Sequence, residues 1–368
     1  MRYYRPTWAE VNLGSLIYNY HQIKGLVSAK TKIMACVKAD AYGHGIIRVS
    51  QTLVSCGVDF LGVASIEEGI TLRDAGIKVP VLILGQVLKQ DVAPLFRHKL
   101  TPTVCSHDLA VVLDKLAALK NQKIMIHIKV DTGMGRLGVL GKDAPLFIKK
   151  ISRLKHLFIE GVFTHFPSSD IDEPFTLRQI KEFKSLLTGL KEEGIAIPLA
   201  HAANSMAIIG YPQSHFNMVR PGLSLYGLYP RKNLNIKLRP VLSLKTKIVY
   251  LKKVPSGYGI SYGRTYKTKS STQIATLPIG YGDGYPRNLS NKSRVLIRGE
   301  VFSISGRVCM DQVMVDIGNF RARVGDEVAL IGRQGQEIIS VEELAGLSNT
   351  IPYEIVCGLG SRIPRVYT

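Results

Sequence analysis

Cysteine is scarce in this chain of 368 residues, and its copies are widely separated. There are five, an odd number, and no two form a C-x-x-C pair: Cys36, Cys56, Cys105, Cys309 and Cys357. This pattern excludes a disulfide framework and a cysteine-based zinc site, and we predict no metal site. Because unpaired cysteines are typical of a reducing compartment, we expect a cytoplasmic protein.

Long apolar segments are also missing. The N-terminus lacks the apolar core of a signal peptide. Apolar runs such as Val79 to Leu84 are far shorter than the ~20 residues that span a bilayer. We therefore expect a protein that has no membrane partner.

Acidic residues are outnumbered. Against 48 Lys and Arg there are 28 Asp and Glu, which leaves a net charge of +20. Such a charge makes nucleic acid the first class of partner to consider. The basic residues are scattered, however, and no known binding motif accompanies them, so no nucleic-acid partner is predicted.

What the chain does have is a regular alternation of short apolar β-type runs and helical patterns from about residue 30 to 230. The candidate strands are Ile33–Val37, Phe60–Ala64, Val79–Leu84, Thr101–Cys105, Ile124–Val130, Ile159–Thr164, Pro198–Ala202 and Met218–Leu223. Their near-continuous apolar character is typical of a parallel sheet buried on both faces. Eight such units predict a TIM (β/α)8 barrel, since the alternative, an open doubly wound sheet, gives no reason for eight.

The sequence pattern changes after about residue 240, where long helical patterns nearly vanish. Short β-type runs follow at Ser243–Leu251, Gln273–Pro278, Ser293–Ile297, Glu300–Ile304, Gln312–Asp316 and Glu327–Ile331. We therefore predict an α/β chain with an N-terminal barrel over residues 1–240 and a C-terminal mostly-β domain over residues 241–368. The first few residues are candidates for pairing with the β domain.

Polar side chains lie after four of the predicted barrel strands and within the eighth, near the carboxyl ends where barrel enzymes carry their active sites. They include Lys38, the segment 131–138, His165, the pair Asn204 and Ser205, and Arg220. Any one of them alone is more often a solvated turn residue. Because the carboxyl ends of all barrel strands meet at one mouth, the set predicts a functional site.

Lys38 is the sharpest candidate, because it follows a buried strand directly. A lysine at a strand end can be a snorkelling side chain, or a desolvated amine able to form a Schiff base. Ser205 at a helix start and the amides around Gly222 would suit a phosphate group. Pyridoxal 5'-phosphate, an aldehyde that carries a phosphate, would explain both features.

Eight motifs along the chain resemble those of the alanine racemase family. They are segments 37–45 (VKADAYGHG), 129–138 (KVDTGMGRLG), 163–166 (FTHF), 219–222 (VRPG), 261–263 (SYG), 280–284 (GYGDG), 306–312 (GRVCMDQ) and 352–354 (PYE). The resemblance covers essentially the whole chain. It implies a barrel followed by a β domain, and a pyridoxal-phosphate isomerase that supplies D-alanine for peptidoglycan. It also implies a homodimer with shared active sites and alanine as the small-molecule substrate.

The resemblance also implies roles for individual residues. Lys38 and Tyr262 correspond to the two catalytic bases. The implied cofactor-binding residues are Lys38, Tyr42, Arg136, His165, Asn204, Ser205, Arg220, Gly222, Leu223 and Tyr353. Arg136 and the amide of Met310 correspond to the contacts of the substrate carboxylate, and Tyr281 and Tyr353 to the entrance. Lys129 matches a lysine that is carbamylated in some members.

Other functions stay open at this level. A racemase of broader specificity, for Lys, Arg or Ser, differs only in its entrance. A barrel-type decarboxylase of basic amino acids would pair the cofactor nitrogen with an acid rather than with Arg220. A non-enzymatic pyridoxal-phosphate carrier would lack the β domain that holds Tyr262.

Overall fold

The computed structural model describes residues 4–231 and 233–368. Its contacts divide the chain into two compact units. The barrel unit comprises Leu16–Ala41 and Ile46–Leu238. The β unit comprises the described residues up to Ser15, together with Tyr42–Gly45 and Arg239–Thr368.

Parallel strands form the barrel unit. After strand β1 (Thr7–Val11), which belongs to the β unit, come β2 (Lys32–Cys36), β3 (Phe60–Val63), β4 (Val81–Gln86), β5 (Thr101–Val104), β6 (Ile124–Asp131), β7 (Val139–Leu140), β8 (Leu157–Phe163), β9 (Leu199–His201) and β10 (Met218–Val219). The strand order is β5-β4-β3-β2-β10-β9-β8-β6, and a β5–β6 pairing closes the ring. The short β7 pairs with β6 outside the ring. The closed eight-stranded barrel confirms the predicted fold.

Helices connect the strands of the barrel unit. They are α1 (Leu13–Lys24), α2 (Lys38–Gly43), α3 (Ile46–Ser55), α4 (Ile66–Asp74), α5 (Ala93–Arg97), α6 (His107–Leu119), α7 (Ala144–Ile151), α8 (Glu173–Glu192) and α9 (Ser205–Gly210). Ser106 caps the N-terminus of α6, since its hydroxyl accepts a hydrogen bond from the Leu109 amide. Such a cap satisfies one of the free amides of the first turn.

Side chains from five different strands meet in the barrel unit. The cluster contains Met34, Phe60, Leu82, Leu199 and Met218, none more than 6% exposed. Truncating one such leucine to alanine typically costs about 2–5 kcal/mol of stability. This packing fixes the strand ends that carry the polar residues of the mouth.

The β unit is antiparallel for the most part. Its further strands are β11 (Leu242–Lys247), β12 (Tyr250–Val254), β13 (Gly259–Ile260), β14 (Tyr266–Lys267), β15 (Thr272–Leu277), β16 (Arg294–Ile297), β17 (Glu300–Ser303), β18 (Val313–Asp316), β19 (Glu327–Gln334), β20 (Glu337–Ile339) and β21 (Arg365–Tyr367), and its further helices are α10 (Val341–Ser348) and α11 (Pro352–Cys357). The largest sheet has the order β17-β16-β19-β11-β1-β21, and a second sheet the order β12-β15-β18. The predicted mostly-β character is confirmed.

Two predicted strands were wrong in extent. The run Ser243–Leu251 is two strands in different sheets, because the Ile248 amide bonds to Asp326 and the next amide bonds to Thr276. The strand that begins at Met218 ends at Val219 rather than at Leu223. Pro221 has no amide to extend a ladder, and a short 3-10 helix starts at Leu223.

Candidate active site

The turn that begins at Lys38 is left-handed. Four successive non-glycine residues, 39 to 42, have φ between +52° and +55°. Such a conformation costs an L-residue roughly 1–2 kcal/mol. Two carboxylates hold the turn: Glu68 accepts a 2.6 Å hydrogen bond from the Ala39 amide, and Asp40 accepts one of 2.8 Å from the Ile46 amide. The position of Lys38 is therefore fixed by a strained but anchored backbone.

Arg220 lies buried at the mouth of the barrel unit. Its Nη2 donates to the carbonyls of Thr164 (2.6 Å) and Ala202 (2.9 Å) and approaches Nδ1 of His165 at 3.4 Å. Nη1 donates to Nδ1 of His201 at 2.7 Å. Burial lowers the pKa of Arg220 to about 10, so the guanidinium stays charged at neutral pH.

A chain of hydrogen bonds runs from Arg220 through two buried histidines. His201 lies 2.8 Å from His127, through Nε2 and Nδ1, and Nε2 of His127 lies 3.1 Å from a carboxylate oxygen of Glu160. Because arginine can only donate, Nδ1 of His201 must accept, which places its proton on Nε2. The same logic places the His127 proton on Nε2, so both rings are neutral donors toward Glu160.

These histidines lie inside predicted strands, and the sequence analysis missed them. Each is a histidine within an otherwise apolar run, and this pattern could have identified them, since a buried polar side chain needs a hydrogen-bond partner. Burial is the main cause that lowers the pKa of His127, and it holds that of His201 well below its ordinary value.

Lys129 and His165 share the environment of Arg220. Burial, followed by repulsion from Arg220 and Arg136, lowers the pKa of Lys129 to about 8. Burial, followed by repulsion from Arg220 and Lys129, holds the pKa of His165 well below its ordinary value. The mouth therefore collects positive charge with little acid nearby, which suits an anionic ligand.

The loop that carries Arg136 is organised by one carboxylate. Asp131 accepts hydrogen bonds of 2.8–3.2 Å from the amides of Gly133, Met134 and Gly135. The exposed Arg136 follows directly, so its backbone is held although its side chain is solvated.

Ser205 is the centre of a polar cradle. Its Oγ accepts hydrogen bonds from the Gly222 amide (3.0 Å), the Ser224 amide (3.2 Å) and the Ser224 hydroxyl (3.1 Å). Among the described contacts it donates none, so its own proton is left for an anionic oxygen. Leu223, predicted beside it, is buried.

Asn204 takes a structural part next to this cradle. Its Oδ1 accepts from the Ala207 amide (3.0 Å) and from the Ser169 hydroxyl (3.2 Å). It therefore caps helix α9, and any contact with a ligand would be additional to that cap.

The remaining predicted residues belong to the β unit. The rings of Tyr42 and Tyr353 are 5.7 Å apart, between centroids. Tyr262 lies between strands β13 and β14 and is 69% exposed, and Met310 is 53% exposed. Both line an open cavity of about 470 Å³.

Tyr281, which the resemblance places at the entrance, is joined to the segment that holds Met310. The Tyr281 amide donates to the Cys309 carbonyl at 3.0 Å, and the Gly282 amide donates to that of Met310 at 2.8 Å. A Cβ at Gly280 would lie 2.2 Å from the Cys309 carbonyl oxygen, so only glycine fits this approach.

An ionic cluster around the buried Asp283 underlies this junction, and the sequence pattern did not indicate it. Asp283 has a fully buried side chain, which forms a two-bond ion pair with Arg5 and lies 3.3 Å from Arg362. Its other oxygen also accepts from the Gly280 amide at 2.9 Å. Arg362 in turn binds Asp311 at 2.7 Å, beside Met310.

The donors present fit pyridoxal phosphate. The cradle at Ser205 offers a hydroxyl to a phosphate, and Nε of Arg220, which makes no hydrogen bond to a described residue, offers a donor to a ring nitrogen. Lys38 supplies an amine at a strand end. The fold and this donor set define a barrel enzyme acting on an anionic small molecule.

Comparison with known proteins narrows this class. Residues 11–230 match the family model "Alanine racemase, N-terminal domain" and residues 241–367 match "Alanine racemase, C-terminal domain". The chain is 51% identical over 367 residues to the alanine racemase of Halothermothrix orenii, with 99% of this chain and 97% of that protein covered. It is 44% identical over 368 residues to that of Methanococcus maripaludis, with 98% of both covered.

Solved structures agree. The alanine racemase of Clostridium difficile 630 superposes with a TM-score of 0.95 at 40% identity, covering 100% of this chain and 97% of that one. The alanine racemase of Bacillus anthracis with bound L-Ala-P gives a TM-score of 0.93 at 37% identity, covering 100% and 96%. The chain belongs to the alanine racemase family, whose members are pyridoxal-phosphate-dependent isomerases.

Within residues 4–231 and 233–368, no helix is both long and apolar enough to cross a membrane. The same residues contain no group of three or more His, Cys, Asp or Glu side chains arranged to hold a metal ion.

Proposed function

We propose that this chain interconverts L- and D-alanine with bound pyridoxal phosphate, and that Lys38 and Tyr262 are its two bases. The observation that carries the proposal is the buried Arg220 at the barrel mouth. An arginine whose pKa stays near 10 keeps its proton at neutral pH. It can hydrogen-bond a ring nitrogen but does not protonate it, which favours removal and return of one proton over competing reactions.

The residues implied by the family motifs would hold the cofactor. Ser205, Gly222, Leu223, Tyr42 and Tyr353 would bind the phosphate. The ring would lie against His165 and Arg220, and Asn204 would keep the helix start in place. When bound, pyridoxal phosphate makes the Cα hydrogen of an attached amino acid acidic.

Two bases on opposite faces are the simplest way to remove a proton from one enantiomer and return it as the other. Lys38 would act on D-alanine and Tyr262 on L-alanine. Neighbouring positive charge favours the deprotonated form of a tyrosine, which is the form that accepts a proton.

We further propose a homodimer with shared active sites. Tyr262 and Met310 are more than half exposed in the single chain, although one would be a base and the other would bind the substrate carboxylate. Such exposure is consistent with a second copy completing the site. The entrance residues Tyr281 and Tyr353 would then favour a side chain as small as methyl.

Lys129 is proposed to carry a carbamate. An amine whose pKa is about 8 is partly neutral near neutral pH, and a neutral amine reacts with carbon dioxide. The product would be an anion beside Arg136 and Arg220, which would convert repulsion into attraction and hold Arg136 against the substrate carboxylate.

We also propose a cytoplasmic location and a supply of D-alanine for peptidoglycan. All five cysteines are free, as is typical of proteins in a reducing compartment.

An absorbance spectrum combined with a racemisation assay tests the function. The purified protein should show the visible band of a lysine-bound cofactor and form D-alanine from L-alanine. Lys38→Ala should abolish both, whereas Lys30→Ala, at an exposed lysine before the same strand, should change neither. A wild-type protein that stays colourless and inactive with added cofactor contradicts the proposal. If serine, lysine or arginine is racemised as fast as alanine, the substrate is a broader class of amino acids.

A further inference from the structure

The backbone of Ser261, directly before Tyr262, has an exceptional conformation. Its φ is +64° and its ψ is −176°, a region that essentially only glycine adopts without strain. Strained backbone persists only where the surroundings hold it in place, and it clusters at functional sites.

The hydroxyl of Ser261 stabilises this backbone conformation. Its Oγ donates a 2.6 Å hydrogen bond to the carbonyl of Arg307 and lies 3.4 Å from Sγ of Cys309. On the same side, a Cβ added to Gly306 would come within 2.7 Å of the Ile260 carbonyl oxygen and of Ser261 Cβ. The segment 306–309 thus packs backbone to backbone against Ser261, and the hydroxyl closes that contact.

This bond lies between two residues of the proposed site. Tyr262 is the next residue, in a five-residue loop between β13 and β14 in which Gly263 (+69°) and Arg264 (+46°) also have positive φ. Because the Tyr262 ring is 69% exposed, packing cannot set its direction in the single chain, and its backbone must. On the other side of the bond, Arg307 leads directly to Met310.

We propose that Ser261 is a positioning residue: its hydroxyl fixes the direction of Tyr262 and couples that residue to the segment of Met310. This inference rests on the proposed role of Tyr262 as the base for L-alanine. A side chain without the hydroxyl keeps the fold but frees the loop, so the loss falls on the face where Tyr262 acts.

Isotope exchange on each enantiomer measures this. In Ser261→Ala, exchange of the α-hydrogen of L-alanine in deuterated water should fall by about 10- to 100-fold, the loss that a ~1 Å misplacement of a catalytic group produces. Exchange of D-alanine through Lys38 should persist, with deuterium retained in D-alanine. The matched control is Ser256→Ala, which removes a 3.0 Å hydroxyl-to-carbonyl bond in the same unit.

A second readout is independent of catalysis. Deuterium uptake by backbone amides in the peptide covering residues 259–267, measured on cofactor-free protein, should rise in Ser261→Ala and stay unchanged in Ser256→Ala.

Ser261→Gly separates the effect of backbone strain from that of the hydroxyl hydrogen bond. It removes the unfavourable φ together with the hydroxyl, so the melting temperature should stay the same while L-alanine exchange is lost. Full activity in Ser261→Gly would overturn the inference.

The two proposals fail differently. Equal loss of exchange for both enantiomers in Tyr262→Phe contradicts the two-base function itself. If Tyr262→Phe impairs exchange of L-alanine selectively but Ser261→Ala impairs exchange of both enantiomers equally, the two-base function is supported. In that case only the positioning role of Ser261 is contradicted.

Discussion

Arg220 donates a 2.7 Å hydrogen bond to Nδ1 of His201, and this contact determines which ring nitrogen carries the proton in both His201 and His127. The acceptor nitrogen forces His201 to donate to His127, which donates to Glu160. A buried cation and a carboxylate are thus joined by two neutral rings.

Removing one ring from that chain should destabilise the protein. His201→Phe preserves the stacking on Phe163, whose ring lies 4.7 Å away, but it leaves Nη1 of Arg220 and Nδ1 of His127 without their partner. Each buried group left unsatisfied costs about 1–3 kcal/mol. Denaturant titration should show the free energy of unfolding fall by at least that amount, while His107→Phe, at an exposed histidine, should change it little.

The buried histidines should make stability depend on pH. Burial keeps the pKa of His127, His165 and His201 below 6.5, so the folded state leaves them neutral where the unfolded chain binds protons. Their contribution is fully present above about pH 6.5 and is lost as the pH falls below it. Urea unfolding at pH 7.5, 6.5 and 5.5 should give decreasing stability, and a constant or rising value would contradict these assignments.

A carbamate on Lys129 has a direct spectroscopic test. Protein equilibrated with ¹³C-bicarbonate near pH 8 should give a carbamate resonance that Lys129→Gln lacks and Lys123→Gln, at an exposed lysine, retains. Because Arg136 would lose its anion, Lys129→Gln should also raise KM for alanine by about tenfold, the effect of one charge-assisted hydrogen bond. Wild-type protein without the resonance refutes the modification.

The ionic cluster at Asp283 should matter far more than its exposed neighbour. Asp283→Asn removes the charge that pairs with Arg5 and places an amide NH₂ among the donors of Arg5 and Gly280 in a fully buried position, which should cost about 1–3 kcal/mol. Asp311→Asn breaks a half-exposed pair with Arg362 and should lower the free energy of unfolding much less. Denaturant titration of both variants measures the difference, and similar values would show that the cluster is not a support of the Tyr281 turn.

The left-handed turn predicts opposite signs for two glycine exchanges. Ala39→Gly relieves a positive φ and should raise the free energy of unfolding by about 0.5–1 kcal/mol. Gly43→Ala places a Cβ 2.1 Å from the Val356 carbonyl oxygen and should lower it by about 3 kcal/mol. Gly57→Ala, with positive φ but open space, should cost only about 1 kcal/mol; equal losses at 43 and 57 would deny the steric explanation.

The barrel could be predicted because its signal is local and repeated. Eight apolar runs separated by helical patterns specify eight strand–helix units without knowledge of any long-range contact. Strand ends were less predictable: the break after Lys247 depends on which sheet each amide meets, which the local pattern does not contain.

The supports of the site could not be predicted in the same way. His127 and His201 are 74 positions apart, and Arg5 and Asp283 are 278 apart, so neither pair leaves a local pattern. The left-handed turn is hidden as well, since Ala-Asp-Ala-Tyr carries no intrinsic preference for positive φ and only Gly43 and Gly45 hint at it.

That turn has a stereochemical consequence. At φ near +52°, Ala39 and Ala41 hold the mirror image of the ordinary helical conformation, which is the conformation a D-residue prefers. A semisynthetic chain with D-alanine at these two positions would relieve the backbone there without altering its path. The segment 39–42, next to Lys38, thus adopts a left-handed helical conformation although it is built entirely of L-residues.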